Sequence, residues 1–359
     1  MKKLTIAALL VSVLAVSVQF ASANETSQAN DFLILPFWFH VHTSFYGDGG
    51  GETPASIAAY LKSKGYKGVV LTPHSKRLSF PDFKKAADEQ NTADFITITG
   101  REIIAGAVSE DEARVMCHIN AVSPSENPPV LDHKYEAEQL DNILSELDTE
   151  KAFYVWNHPW ACSQWEPYVS RFNGIELFND VGPGFASGAS YDVERKYYLA
   201  ALKNGTKLFV ISGIDMHTMM QTQIGDYFTY VFPDELTRDS VVAAFAAGHT
   251  FAAFNAKVRS LSARPAFKPY DAPGGAFSVS GTIDIKLLGG PKAKFILYKN
   301  GEEYAPSTPV SFVRGKKGAK GYTDFSFSFG DKLKPGESAC YAFEIPHYMY
   351  SSQYCYTAK

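Results

Sequence analysis

The stretch His40-Val-His42-Thr43, with Asp48 just beyond it, puts two imidazoles and a carboxylate within reach of one another. Val41 separates the histidines. On a strand, alternate side chains share a face, so both rings project to the same side. Imidazole nitrogens and carboxylate oxygens are ligands of zinc, iron and manganese. Alone, such a pair also describes two surface histidines. The same residue types recur, however, wherever an apolar run ends. His74 follows Val69–Thr72, Glu102 follows Phe95–Thr99, His118 lies in Val115–Val122, His158 follows Phe153–Trp156, and Asp215 and His217 follow Leu208–Ser212. Of nine histidines, only His133, His249 and His347 lie elsewhere, a concentration that random placement does not produce.

Bringing these groups together requires strands whose ends meet. From 32 to about 258 a short apolar run, a polar or glycine-containing end and a helix-like segment alternate, and seven such runs are present. Several are continuously apolar, as in parallel strands covered on both faces. Thr53-Pro54 opens a helix over Ala55–Lys64, and Gly65 closes it. Further helices are predicted over Glu136–Glu150, Tyr191–Asn204 and Asp234–Ala247. His249, at the end of the last, reads as a cation at a helix C-terminus. Repeated β-α units imply an α/β fold, and seven runs favour a barrel, whose C-terminal strand ends converge on one face. Arg101 and Cys117 alternate with Glu102 and His118, so they are expected to point away from that face.

After about residue 260 the pattern changes. Pro273-Gly-Gly275, Gly289-Gly-Pro291 and Asn300-Gly301 are turn signals, and Phe325-Ser-Phe-Ser-Phe329 alternates as a half-buried strand does. The predicted division is a signal peptide over 1–23, the barrel over 24–260 and a small all-β, sandwich-like C-terminal domain over 261–359. The first segment has Lys2 and Lys3, an apolar stretch from Leu4 to Phe20, and Ala21-Ser-Ala23 as a cleavage site. Export to the periplasm or medium is the expectation, and nothing later is apolar enough over enough residues to span a bilayer.

The net charge of −4 and the absence of basic runs argue against a nucleic-acid polymer as partner. Export permits disulfides among Cys117, Cys162, Cys340 and Cys355. Cys340 and Cys355 are expected to pair, closing a loop worth about 3 kcal/mol in the chain-entropy model. Cys117 and Cys162 could pair or stay reduced.

Taken in order, His40-Val-His42-Thr43…Asp48, Pro73-His74, Gly100-Arg-Glu102, His118, His158-Pro159 and Asp215-Met-His217 resemble the motifs of the PHP (polymerase and histidinol phosphatase) superfamily. The resemblance covers about residues 36–258. It implies a distorted (β/α)7 barrel binding two or three divalent ions such as Mn, Zn or Fe. Carried over by position, His40, His42, Glu102 and Asp215 would hold one metal. Glu102 would bridge to a second at His118 and His158, and Asp48, His74 and His217 would hold a third. Pro73 stands where the family has an acid, and Asp48 lies one residue farther along than usual. The resemblance implies a phosphoesterase acting on a small phosphorylated substrate, monoester rather than diester. A metal-activated hydroxide would attack phosphorus, with Glu102, Asp215 and His217 as the catalytic set. The same centre would also serve a hydrolase of amides or lactones, or a non-catalytic binding protein. Lys76 and Arg77 are candidate phosphate contacts, or a solvated pair. Trp160, with Trp165 and Tyr168, forms an aromatic loop that would either stack on substrate or pack inward.

Overall fold

The computed structural model describes residues 32–359 apart from 46–49, 75–78, 105–116, 126–127, 129–139, 180–188, 220–224, 288–292 and 307. The expected signal segment lies outside these residues. The first half carries ten strands, β1 Leu35–Val41, β2 Gly68–Leu71, β3 Ile96–Thr99, β4 Arg101–Ile104, β5 His118–Val122, β6 Phe153–Trp156, β7 Gly174–Phe178, β8 Phe209–Met216, β9 Tyr227–Val231 and β10 Thr250–Phe254. Ten more follow: β11 Ala256–Leu261, β12 Ala266–Ala272, β13 Ala276–Lys286, β14 Ile296–Lys299, β15 Glu302–Glu303, β16 Thr308–Lys317, β17 Tyr322–Lys332, β18 Ser338–Ile345, β19 Met349–Ser351 and β20 Tyr354–Ala358. Helices α1 Pro54–Lys64, α2 Phe80–Asp88, α3 Leu140–Thr149, α4 Ala189–Lys203 and α5 Arg238–Ala246 lie between the earlier strands.

The expected (β/α)7 barrel is overturned. The strands join into one mixed sheet of 16 and a separate sheet of four, ordered β11-β13-β17-β16. Parallel pairs link β3-β2-β1-β8-β7-β6, but β4-β5, β5-β6 and β1-β9 are antiparallel. Continuous apolar runs misled the reading because the antiparallel strands β5 and β9 are buried along their whole length, as the parallel ones are. Phe37, Phe39, Val70, Ile96, Ile98, Phe153, Val155, Phe209 and Ile211 enter one core cluster. Their alternates Trp38, Val69, Leu71, Tyr154, Trp156 and Val210 enter the other. The C-terminal strands divide between the two sheets, which meet through Phe327 and Phe329 of β17 against Phe343 of β18. Six of them extend the large sheet through β19 pairing with β10, and only four make the second sheet.

Local signals survived this change of topology. Thr53 accepts a hydrogen bond from the Ser56 N–H, Pro54 opens α1, and Gly65 ends it at φ 84°. In β17, Phe325, Phe327 and Phe329 are buried while Ser326 is exposed, the alternation expected of a half-buried strand. His249 departs from its expected role: burial and the nearby Arg264 push its pKa down to about 4, so it is neutral rather than a helix-end cation.

Two disulfides form, Cys340–Cys355 and Cys117–Cys162. The first couples facing residues of β18 and β20. Both fit a protein that meets an oxidising compartment. No described helix is long and apolar enough to cross a membrane.

Candidate metal centre

The centre is built at two irregularities in neighbouring strands. Between β1 and β8 the register runs from Phe39 opposite Gly213 to Val41 opposite Met216, so β8 holds one extra residue. Between β1 and β2 the extra residue belongs to β1. The residues at these bulges, His40 (φ 62°) and Asp215 (φ 45°), occupy the left-handed region that side chains other than glycine rarely adopt. His158, immediately beyond β6, does the same at φ 27°. A bulge re-aims a side chain at some conformational cost, and such outliers cluster where function over-determines the backbone.

Glu102 lies at the middle of the cluster, 1 % exposed. Its Oε1 is 2.9 Å from His40 Nε2, 2.9 Å from His118 Nδ1 and 3.6 Å from His158 Nε2. Its Oε2 is 3.1 Å from both His42 Nε2 and His74 Nε2. Asp215 Oδ1 lies 3.0 Å from His42 Nε2, 3.4 Å from His40 Nε2 and 3.5 Å from His217 Nδ1. Three sets of side chains are compact enough to share a cation: His40, His42, Glu102 and Asp215; His74, Glu102 and His118; and His42, His74 and His217. The imidazoles of His40, His42 and His158 are wholly buried, whereas those of His74 and His217 are 26 % and 39 % exposed, so the centre opens to solvent on that side.

A divalent cation fits this donor set. His40 Nε2, Glu102 Oε2 and His158 Nε2 are buried yet complete no hydrogen bond, although buried polar atoms ordinarily find a partner. What faces them is the cluster's own imidazoles and carboxylates. The charges compensate one another in the meantime. Burial disfavours charge on Glu102, but His118 and His40 outweigh it and hold the carboxyl well below its usual range. Burial likewise opposes ionisation of Asp215, and His40 and His42 reverse the outcome. His40 is raised well above an ordinary imidazole, because Glu102, Asp215 and Glu176 overcome its burial. His118 goes the other way, lowered by burial with His158 and His74 nearby. An arriving cation would displace protons from these imidazoles.

Eight of the nine candidate ligands are described, and all eight come together. Asp48, Lys76 and Arg77 lie outside the described residues. The groupings differ from expectation in two respects. His74 joins Glu102 and His118 in one compact set while His158 stands slightly farther out, and His42 joins His74 and His217 in the third. Trp160 is half-buried with its ring 6.4 Å from His158, at the rim. Trp165 is core instead, 1 % exposed against Trp156 and Phe172. Arg101 points away as expected, forming an ion pair with Glu150 at 2.7 Å.

Sequence reasoning missed three surrounding groups. Asn157 donates from Nδ2 to Glu102 Oε1 at 2.8 Å. Glu176, wholly buried on β7, receives hydrogen bonds from His40 and from Asn179. The available signal was a lone acid within an otherwise apolar strand, Gly174-Ile-Glu-Leu-Phe178.

No family model matches the chain, and no curated protein shows significant similarity to it. The class that the site defines therefore rests on its geometry: a buried cluster of histidines and carboxylates able to hold divalent metal ions.

Proposed function

We propose that this chain is an exported metal-dependent phosphoesterase that favours monoesters. One observation carries the reading: a single buried carboxylate, Glu102, lies within 3.6 Å of five imidazole nitrogens from four separate segments of chain. Such an acid is suited to bridging two cations. His40, His42, Glu102 and Asp215 would hold one ion and Glu102, His118 and His74 or His158 a second. The set His42, His74 and His217 would serve a third. Manganese, zinc and iron all accept such ligands. When bound, a pair of these ions supplies hydroxide at neutral pH and offsets charge developing on a phosphoryl group.

The protein's own groups have distinct tasks. Glu102 and Asp215 stay ionised despite burial, so they fix the charge of the pocket. With three dications against the few carboxylates in reach, the pocket remains positive and suits a phosphate dianion. His217 is the most exposed imidazole of the cluster, with Nδ1 3.0 Å from the Asp215 carbonyl oxygen. With the third position empty, it would be the group to pass a proton to the departing alcohol. Trp160 at the rim would contact the substrate's organic part.

The test is turnover by metal-loaded protein on aryl phosphate mono- and diesters, amides and lactones, with bound metal quantified. Phosphate release that disappears in His42→Ala and Glu102→Gln supports the proposal. Amide or lactone cleavage without phosphate release would overturn it in favour of a C–N or C–O hydrolase. Stoichiometric metal with no turnover would leave a binding protein.

A further inference from the structure

Glu176 makes no approach to the shared cation positions themselves, yet it touches two of the segments that form them. Its Oε1 accepts from His40 Nδ1 at 2.9 Å. Its Oε2 accepts from the backbone N–H of His158 at 2.7 Å and from Asn179 Nδ2 at 2.8 Å. With Nδ1 taken up by this carboxylate, Nε2 is the ring nitrogen left facing Glu102 and Asp215. The bond to His158 holds a residue whose φ of 27° is otherwise unfavourable.

Room for this carboxylate comes from the neighbouring strand. A Cβ at Gly213 would lie 1.5 Å from Glu176 Oε1 and 3.1 Å from the His40 Cβ. Gly213 is therefore a cradle for Glu176, two residues before Asp215.

We propose that Glu176 is a positioning residue serving two metal positions at once, through the His40 ring in one and the His158 backbone in the other. The inference rests on the metal-centre reading above. Glutamine at 176 would keep the shape but put an N–H donor where one carboxylate oxygen accepts, so either one of the three contacts breaks or the His40 ring shifts to the tautomer with its proton on Nε2.

The experiment is calorimetric titration of chelator-treated full-length protein with Zn²⁺ and with Mn²⁺, alongside visible spectra of the cobalt(II)-loaded form. Glu176→Gln is expected to bind about 10- to 100-fold more weakly, the usual effect of losing a group that orients a ligand, and to alter the cobalt spectrum. Glu176→Asp, which keeps the charge, should recover part of the affinity. Gly213→Ala leaves Glu176 in the sequence but displaces its carboxylate, and is expected to reproduce the loss. Asn179→Ala removes one donor only. It should give a smaller loss in the same direction and remains usable if the others do not fold. Wild-type affinity and an unchanged cobalt spectrum across the folded variants would overturn the role of Glu176. Wild-type protein that takes up no metal would overturn the metal-centre reading itself, a result visible before any variant is made.

Discussion

Glu102 and Glu344 are equally hidden, 1 % and 0 % exposed, but their neighbours are of opposite kinds. Glu344, on β18, meets the guanidinium of Arg195 through contacts of 2.8, 2.9 and 3.1 Å, and the same guanidinium reaches Tyr298. An arginine fork is always charged and only donates, so it satisfies this carboxylate from within the chain. Glu102 is ringed by imidazoles, which when neutral present lone pairs as readily as protons. That ring is complete only with protons on it or with a cation inside it. The comparison separates a buried acid that fastens α4 to the C-terminal strands from one arranged around something that arrives from outside.

The largest expected effect is on Glu102. Glu102→Gln should leave purified protein without stoichiometric metal and without hydrolysis, measured by elemental analysis and turnover. Retention of the full metal complement would erase the distinction between the two acids. Arg195→Met should do the converse. It strands Glu344 as an uncompensated buried charge at a cost of about 3–5 kcal/mol, toward the lower value because the Arg195 side chain is 32 % exposed. Urea unfolding reads that loss, and metal content should not change. Removing metal comes next. Ions at about a hundred times their dissociation constant stabilise by about 2.7 kcal/mol. A chelator should therefore lower the unfolding midpoint of the wild type but not that of Glu102→Gln.

The smallest effect belongs to His249, an imidazole next to Arg264 rather than in a cluster of carboxylates. Its folded pKa of about 4 lies below its ordinary 6.5. The unfolded chain thus binds more protons between those values, and stability falls as pH drops through that window. Replacing His249 with Gln should flatten that part of the acid limb, as followed by urea midpoints from neutral pH to pH about 4. An unchanged limb would mean that His249 is not neutral in the fold.

Much of the centre was legible because histidine and acid at strand ends are uncommon types in recurrent places. The grouping of His40, His42, Glu102 and Asp215 came from the resemblance to the PHP motifs and not from these types alone. Their means of convergence was not legible. Alternation on a regular strand was the argument for His40 and His42, whereas the strands are bulged and His40 and Asp215 are left-handed. A sequence carries no mark of a bulge when the residue inside it is not glycine. Glu176 was hidden for a different reason, since one acid among apolar neighbours does not say which strand it will face. The topology failed on a degeneracy: a fully covered antiparallel strand such as β9 and a fully covered parallel one read alike. Short-range chemistry suffered no such ambiguity, as the cap at Thr53 and the Cys340–Cys355 bridge show. The Cys117–Cys162 link stayed open because its partners are 45 residues apart and only the packed chain brings them together.

That second bridge bears on how firmly two of the imidazoles are held. Cys117 immediately precedes His118, and Cys162 follows His158 by four residues, so the bond ties together two strands' worth of imidazoles. A nascent chain with both sulfurs reduced lacks this staple and would hold the two rings by the β5–β6 ladder and packing alone. Oxidation would therefore tighten the spacing of His118 and His158 in whatever compartment forms the bond.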